Sequence, residues 1–104
     1  MPTILYVVIP RAMSEAAADR RFGDRIDRLM RAKKLGTVSG GSVDAEDSYV
    51  GIAVEATDAR QALPVLQAKL RALKAPRGTV IEESQGPVPA SVLGGKPTAV
   101  HPVW

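Results

Sequence analysis

The stretch Ser48-Tyr49-Val50-Gly51-Ile52-Ala53-Val54-Glu55-Ala56-Thr57-Asp58-Ala59-Arg60-Gln61 decides the fold, because its period changes within a few residues. Up to Ala56 it alternates, with Val50, Ile52 and Val54 on one face and Tyr49, Gly51, Ala53 and Glu55 on the other, the pattern of a strand covered on one side. From Thr57 it becomes helical: Asp58 is an N-cap with Gln61 three residues on, and Ala59, Ala62, Leu63, Leu66, Leu70 and Leu73 then recur at helical spacing. Pro64 is out of place inside that helix, where its ring meets the carbonyl of Arg60, so either a separate first turn or a kink is expected there.

Working towards the N-terminus, Ser42 to Asp47 reads as a polar, acidic loop, and Thr37-Val38-Ser39 as a short strand running into Gly40-Gly41, with a bulge expected there. Before it, Ser14 starts a helix that runs to about Lys34. Ala18, Phe22, Ile26, Leu29 and Met30 form its buried stripe, Asp24 with Arg28 and Asp27 with Arg31 form acid-before-base pairs, and Gly36 is the expected terminator. Thr3 to Ile9 is apolar on both alternating sets and ends at Pro10, which suits a central strand. Towards the C-terminus, Ala75-Pro76-Arg77-Gly78 closes the second helix and Thr79 to Glu83 is a last short strand.

The order is β-α-β-β-α-β, which implies an α+β, ferredoxin-like two-layer sandwich over residues 1–85 with a Pro/Gly-rich C-terminal tail over 86–104. The long apolar strands are expected in the middle of the sheet and the two short ones at its edges. The face without helices would carry Ile4, Tyr6, Val8, Tyr49, Gly51, Ala53 and Glu55, too apolar to stay open. Either the tail, with Val92, Leu93, Val100, Val103 and Trp104, or a second copy is expected to cover it.

With 104 residues, 45% hydrophobic and 24% charged, the chain has room for one core and not for a multi-domain enzyme. The absence of cysteine excludes disulfides, thiolate nucleophiles and sulfur-ligated zinc, and the single His101 leaves no second imidazole for a metal. We expect no metal and no cofactor. The apolar run Ile4 to Ile9 is far shorter than the roughly 18 residues a bilayer requires, so we expect a cytoplasmic protein with no membrane partner. No acid lies near His101 in sequence to orient it, and no nucleophile motif surrounds any serine, so no catalytic residue is assigned.

Two clusters suit binding. The glycine pair Gly40 and Gly41 with Asp44, Glu46 and Asp47 could meet basic residues of a protein partner. On the first helix Arg21, Arg25 and Arg28 form a basic stripe, interleaved with acids that spoil a phosphate-tracking surface. Leu5-Tyr6-Val7 resembles the first-strand motif of ribonucleoprotein-type RNA-binding domains, and Tyr49 matches one third-strand aromatic. The next aromatic position, however, is Gly51. That resemblance implies an alternative single-stranded RNA site at Tyr6, Tyr49, Arg21, Arg25 and Arg28. A further alternative is a dimeric ferredoxin-like small-molecule sensor or enzyme, with a pocket lined by Arg11, Tyr6 and His101.

Leu35-Gly36-Thr37-Val38-Ser39-Gly40-Gly41, Val50 to Glu55, Asp58 and Ala75-Pro76-Arg77-Gly78-Thr79-Val80-Ile81-Glu82 resemble a group of small bacterial proteins with a glycine-rich edge strand and a Gly-Thr-x-Ile-Glu closing strand. Some of these look like immunity proteins. The resemblance implies a non-enzymatic module that neutralises a toxin domain by masking its surface, and brings no catalytic residues with it.

Overall fold

A computed structural model describes residues 3–11, 14–44, 49–86, 89 and 94–104. The strands are β1 (Thr3–Ile9), β2 (Gly36–Asp44), β3 (Tyr49–Ala56), β4 (Val80–Gln85) and β5 (Ala99–Pro102). They form one antiparallel sheet in the order β2-β3-β1-β4-β5. A helical segment joins β1 to β2 and comprises α1 (Glu15–Ala18), a π turn (Asp19–Gly23) and α2 (Asp24–Ala32); α3 (Ala59–Ala72) joins β3 to β4. The protein is thus an α+β domain with helical layers on one side of a five-stranded sheet.

β1 and β3 lie inside the sheet, as their apolar runs require. β4 differs from expectation: it is not an edge, because β5 pairs along it with Ile81 opposite His101 and Glu83 opposite Ala99. The Pro/Gly-rich composition that rules out a helix here still permits a short edge strand, where a proline lacking an N–H does little harm at the outer end. The tail therefore extends the sheet and is fastened to the helical layer. Gln67 Nε2 donates to the Pro102 carbonyl (2.9 Å), Arg71 Nη1 to that of Val103 (2.9 Å), and Trp104 Nε1 to that of Ala75 (2.8 Å). Val103 is buried in the main core, and the Arg77 guanidinium sits 5.4 Å from the Trp104 ring centroid.

The first helical segment explains its own irregularity. Ala18, Phe22, Ile26 and Met30, all buried, are spaced strictly four apart. In a regular helix each four-residue step drifts about 40° around the axis. The wider π turn at Asp19–Gly23 takes up part of that drift and keeps Ala18 and Phe22 on the core side. The helix ends earlier than expected, and its terminator is not Gly36. Lys34 takes a positive φ of 57°, with Leu35 N bonded to Met30 O and Lys34 N to Arg31 O, a Schellman end. α3 ends the same way at Lys74, and the Asp58 carboxylate caps its start by accepting from Arg60 N and Gln61 N at 3.1 and 3.3 Å. α3 runs unbroken through Pro64, whose ring faces solvent.

β2 is longer than expected and takes up Ser42, Val43 and Asp44, opposite Gly51, Val50 and Tyr49. Its register shifts between Val38 and Gly40, the expected bulge. The core between sheet and helices contains Leu5, Val7, Ile9, Phe22, Ile26, Met30, Val54, Leu66, Leu70 and Ile81. On the opposite face Ile4, Tyr6 and Ala53 form a second buried cluster, 0%, 4% and 8% exposed within a single chain. These three side chains are therefore buried within a single chain, whereas Val8 and Tyr49 on the same face are half-buried and Glu55 is exposed; Gly86 and Pro89 on the connection leaving β4 are buried too. Val92 and Leu93 lie outside the described residues. No helix among the described residues is long and apolar enough to cross a membrane.

Candidate functional site

Of the acidic cluster, Gly40, Gly41 and Asp44 fall on β2, at the open edge of the sheet. Glu46 and Asp47 lie outside the described residues. An edge strand presents alternate backbone N–H and C=O groups with no ladder partner, a template for another chain. At its helix end this edge is already occupied. The Val38 N–H donates to Asp27 Oδ1 at 2.9 Å, and Asp27 Oδ2 takes Arg31 Nε at 2.8 Å. The Val38 N–H, with help from Arg31, holds the Asp27 carboxyl below the usual carboxylate range.

A carboxyl lowered in the folded chain contributes stability that is complete above its unfolded value, near 4, and is lost as pH falls through the lowered value. Asp27→Asn is accordingly expected to reduce stability at neutral pH and to flatten the acid limb of a denaturant-midpoint against pH profile below about pH 4. An acid limb with the wild-type slope would show that Asp27 does not clamp the edge strand.

The tyrosines do not form a stacking platform. Tyr6 is 4% exposed, with its ring over Gly51, and the register sets it opposite Ala53, so Tyr49 lies about 14 Å further along β3. Tyr49 is half-buried. Arg21, Arg25 and Arg28 are all exposed, but they divide: Arg21 lies in the π turn with its guanidinium 5.7 Å from the Phe22 ring centroid, while Arg25 and Arg28 line a groove further along. There they meet Leu29, Ala32 and, from α3, Lys69 around a cavity of about 300 Å³. The expected Asp27–Arg31 pair forms, whereas Arg28 has no ion-pair partner among the described residues.

A second, polar cleft of about 570 Å³ opens where α3 begins above the end of the sheet, lined by Thr3, Asp58, Arg60, Leu63, Glu83 and His101 among others. An acid does therefore stand beside His101: Glu83 Oε1 is 3.5 Å from its Nε2, brought there by the pairing of β5 with β4. That nitrogen is buried and makes no hydrogen bond among the described residues. The nearby hydroxyls are engaged elsewhere, Thr3 Oγ1 donating to Gln85 Oε1 (3.3 Å) and Thr57 Oγ1 to the Lys34 carbonyl (3.1 Å). Neither is hydrogen-bonded to the imidazole, as an activated nucleophile must be.

Tyr6 and His101 do not share a pocket, because they sit on opposite faces of the sheet: His101 is opposite core-facing Ile81, and Tyr6 is opposite Glu82. Among the described residues no group of three His, Asp or Glu side chains could hold a metal ion. Lys69 and the Glu83–His101 pair escape sequence reading because each meets its neighbours only through tertiary packing or strand register. No family model, curated protein or solved structure matches this chain.

Proposed function

We propose that the chain is a ferredoxin-like βαββαβ domain, extended by β5, that works as a non-enzymatic protein-binding module of the toxin-neutralising immunity type. The strand order β2-β3-β1-β4 supports the fold name, since each βαβ crossover encloses one antiparallel neighbour. The observation that carries the functional reading is the edge strand β2, nine residues long, with its glycine pair and Asp44 at the end away from the Asp27 clamp. A partner strand can add there through main-chain bonds, while Asp44, with Glu46 and Asp47 next along the chain, attracts a basic surface such as the substrate-binding groove of a nuclease. The RNA alternative is weaker because the Tyr6 ring is buried.

The test is capture by the tagged full chain from lysate of its own source, with and without nuclease treatment. The expected result is one stoichiometric protein that survives nuclease and binds the Asp44→Ala/Glu46→Ala/Asp47→Ala variant at least tenfold more weakly, with a shallower dependence of association rate on salt. Material lost on nuclease treatment, or a complex indifferent to the triple substitution, overturns this reading.

A further inference from the structure

The groove between α2 and α3 carries charge that nothing answers. Arg25, Arg28, Leu29 and Ala32 follow the i, i+3, i+4, i+7 spacing of one helix face, and Lys69 reaches the same cavity from α3. Among the described residues none of these three cations has an ion-pair partner. Asp24, the acid four residues before Arg28, does not pair with it, and Asp27 is taken up by Val38 and Arg31 on the β2 side. The interleaving of acids visible in the sequence is therefore not a neutralisation in space. Lys69 is half-buried, so its stem packs while its ammonium reaches the cavity.

We propose that this groove docks an acidic amphipathic helix of a protein partner, with carboxylates on Arg25, Arg28 and Lys69 and an apolar side chain over Leu29 and Ala32. Charge complementarity sets the sign of the ligand, and the mixed lining sets its kind. A nucleic-acid backbone offers phosphates but no apolar group for the Leu29–Ala32 end, and none of the lining residues is aromatic, so bases have nothing to stack on. A helix laid in a groove between two helices meets both demands, and the α2 stripe from Arg25 to Ala32 is about 10 Å long, the length of two helical turns. The site is distinct from the β2 edge and does not depend on it.

The experiment titrates the full chain into a labelled synthetic peptide of about four helical turns, carrying Glu on one face and Leu beside it, and reads fluorescence anisotropy. A scrambled peptide of the same composition and a single-stranded oligonucleotide serve as comparisons. The expected result is that Arg25→Glu and Lys69→Glu each weaken the ordered peptide at least tenfold. Lys96→Glu, an equal change of net charge at an exposed site outside the groove, and Asp44→Ala on the β2 edge leave it within twofold. Equal binding of the scrambled peptide, an equal loss with Lys96→Glu, or no binding by the unaltered chain overturns the proposal. Tighter binding of the oligonucleotide that is lost with Arg25→Glu overturns it in favour of a nucleic-acid surface. Loss of the lysate complex with Asp44→Ala/Glu46→Ala/Asp47→Ala, but not with Arg25→Glu, would leave the β2 reading standing alone.

Discussion

Gly36→Ala is expected to destabilise the protein by roughly 2–5 kcal/mol, a large share of the 5–15 kcal/mol typical of a whole domain. Gly36 is the first residue of β2 and lies opposite Ala56, immediately after the Leu35 N–H has closed the helix end onto Met30 O. A Cβ there would run into the Glu55 carbonyl oxygen and stand 3.1 Å from the Ala56 Cα, with φ at +153°. Those are backbone atoms of β3, which is held on both sides by β1 and β2, so no side-chain rotation relieves the collision. Gly94→Ala provides the control, because Gly94 also has a positive φ (+78°) but, among the described residues, nothing within 4 Å of where its Cβ would stand. Its cost is about 1 kcal/mol, the conformational part alone. Urea midpoints of the two variants separate the effects, and equal losses would mean that the close approach of β2 to β3 at Gly36 is not what requires glycine.

The same residue shows where sequence reading stops. Gly36 is recognisable as important, but as a helix terminator, because glycine after a basic last turn is the usual signal; the left-handed residue of the helix end is Lys34, and the close approach of Gly36 to the β3 backbone is one that no local pattern encodes. What local chemistry does fix is legible. β1 is legible from an apolar run on both alternating sets, β3 from its clean alternation, the α3 start from Asp58, and the bulge in β2 from its glycines. The buried stripe Ala18, Phe22, Ile26 and Met30 is legible from its spacing, but the π turn within it is not, because a regular helix also keeps these residues within one broad apolar stripe. β5 is less legible because four residues with a terminal proline lie below the length at which alternation is informative. With β5 unread, the meeting of His101 and Glu83 is unread as well. The basic stripe is half legible: helical spacing places Arg25 beside Arg28, but Lys69 joins them only through packing of α3, and the pairing that would have neutralised Arg28 is a matter of side-chain direction rather than sequence.

Gly51→Ala should produce the other large loss, about 2–4 kcal/mol, and here a second substitution can remove most of it. The missing side chain of Gly51 leaves the space that the Tyr6 ring fills: a Cβ would overlap the phenol oxygen and still stand 2.8 Å from Cε1. Tyr6 is 4% exposed beside Ile4 and Ala53, so the ring has no free volume to move into and must leave the cluster or displace the sheet. In a Tyr6→Leu background the branched but shorter chain no longer reaches Gly51, and adding Gly51→Ala should then cost under about 1 kcal/mol, a coupling of 1–3 kcal/mol in a double-mutant cycle. Tyr6→Phe gives little relief, because the ring carbons overlap the new methyl as well as the hydroxyl. Additive losses would mean that the ring does not lie over Gly51. The result bears on function, because the contact that buries Tyr6 also removes its face from any base. The sheet surface used for RNA stacking in ribonucleoprotein-type domains is here spent on packing around Tyr6, which removes the ring on which the RNA alternative rests.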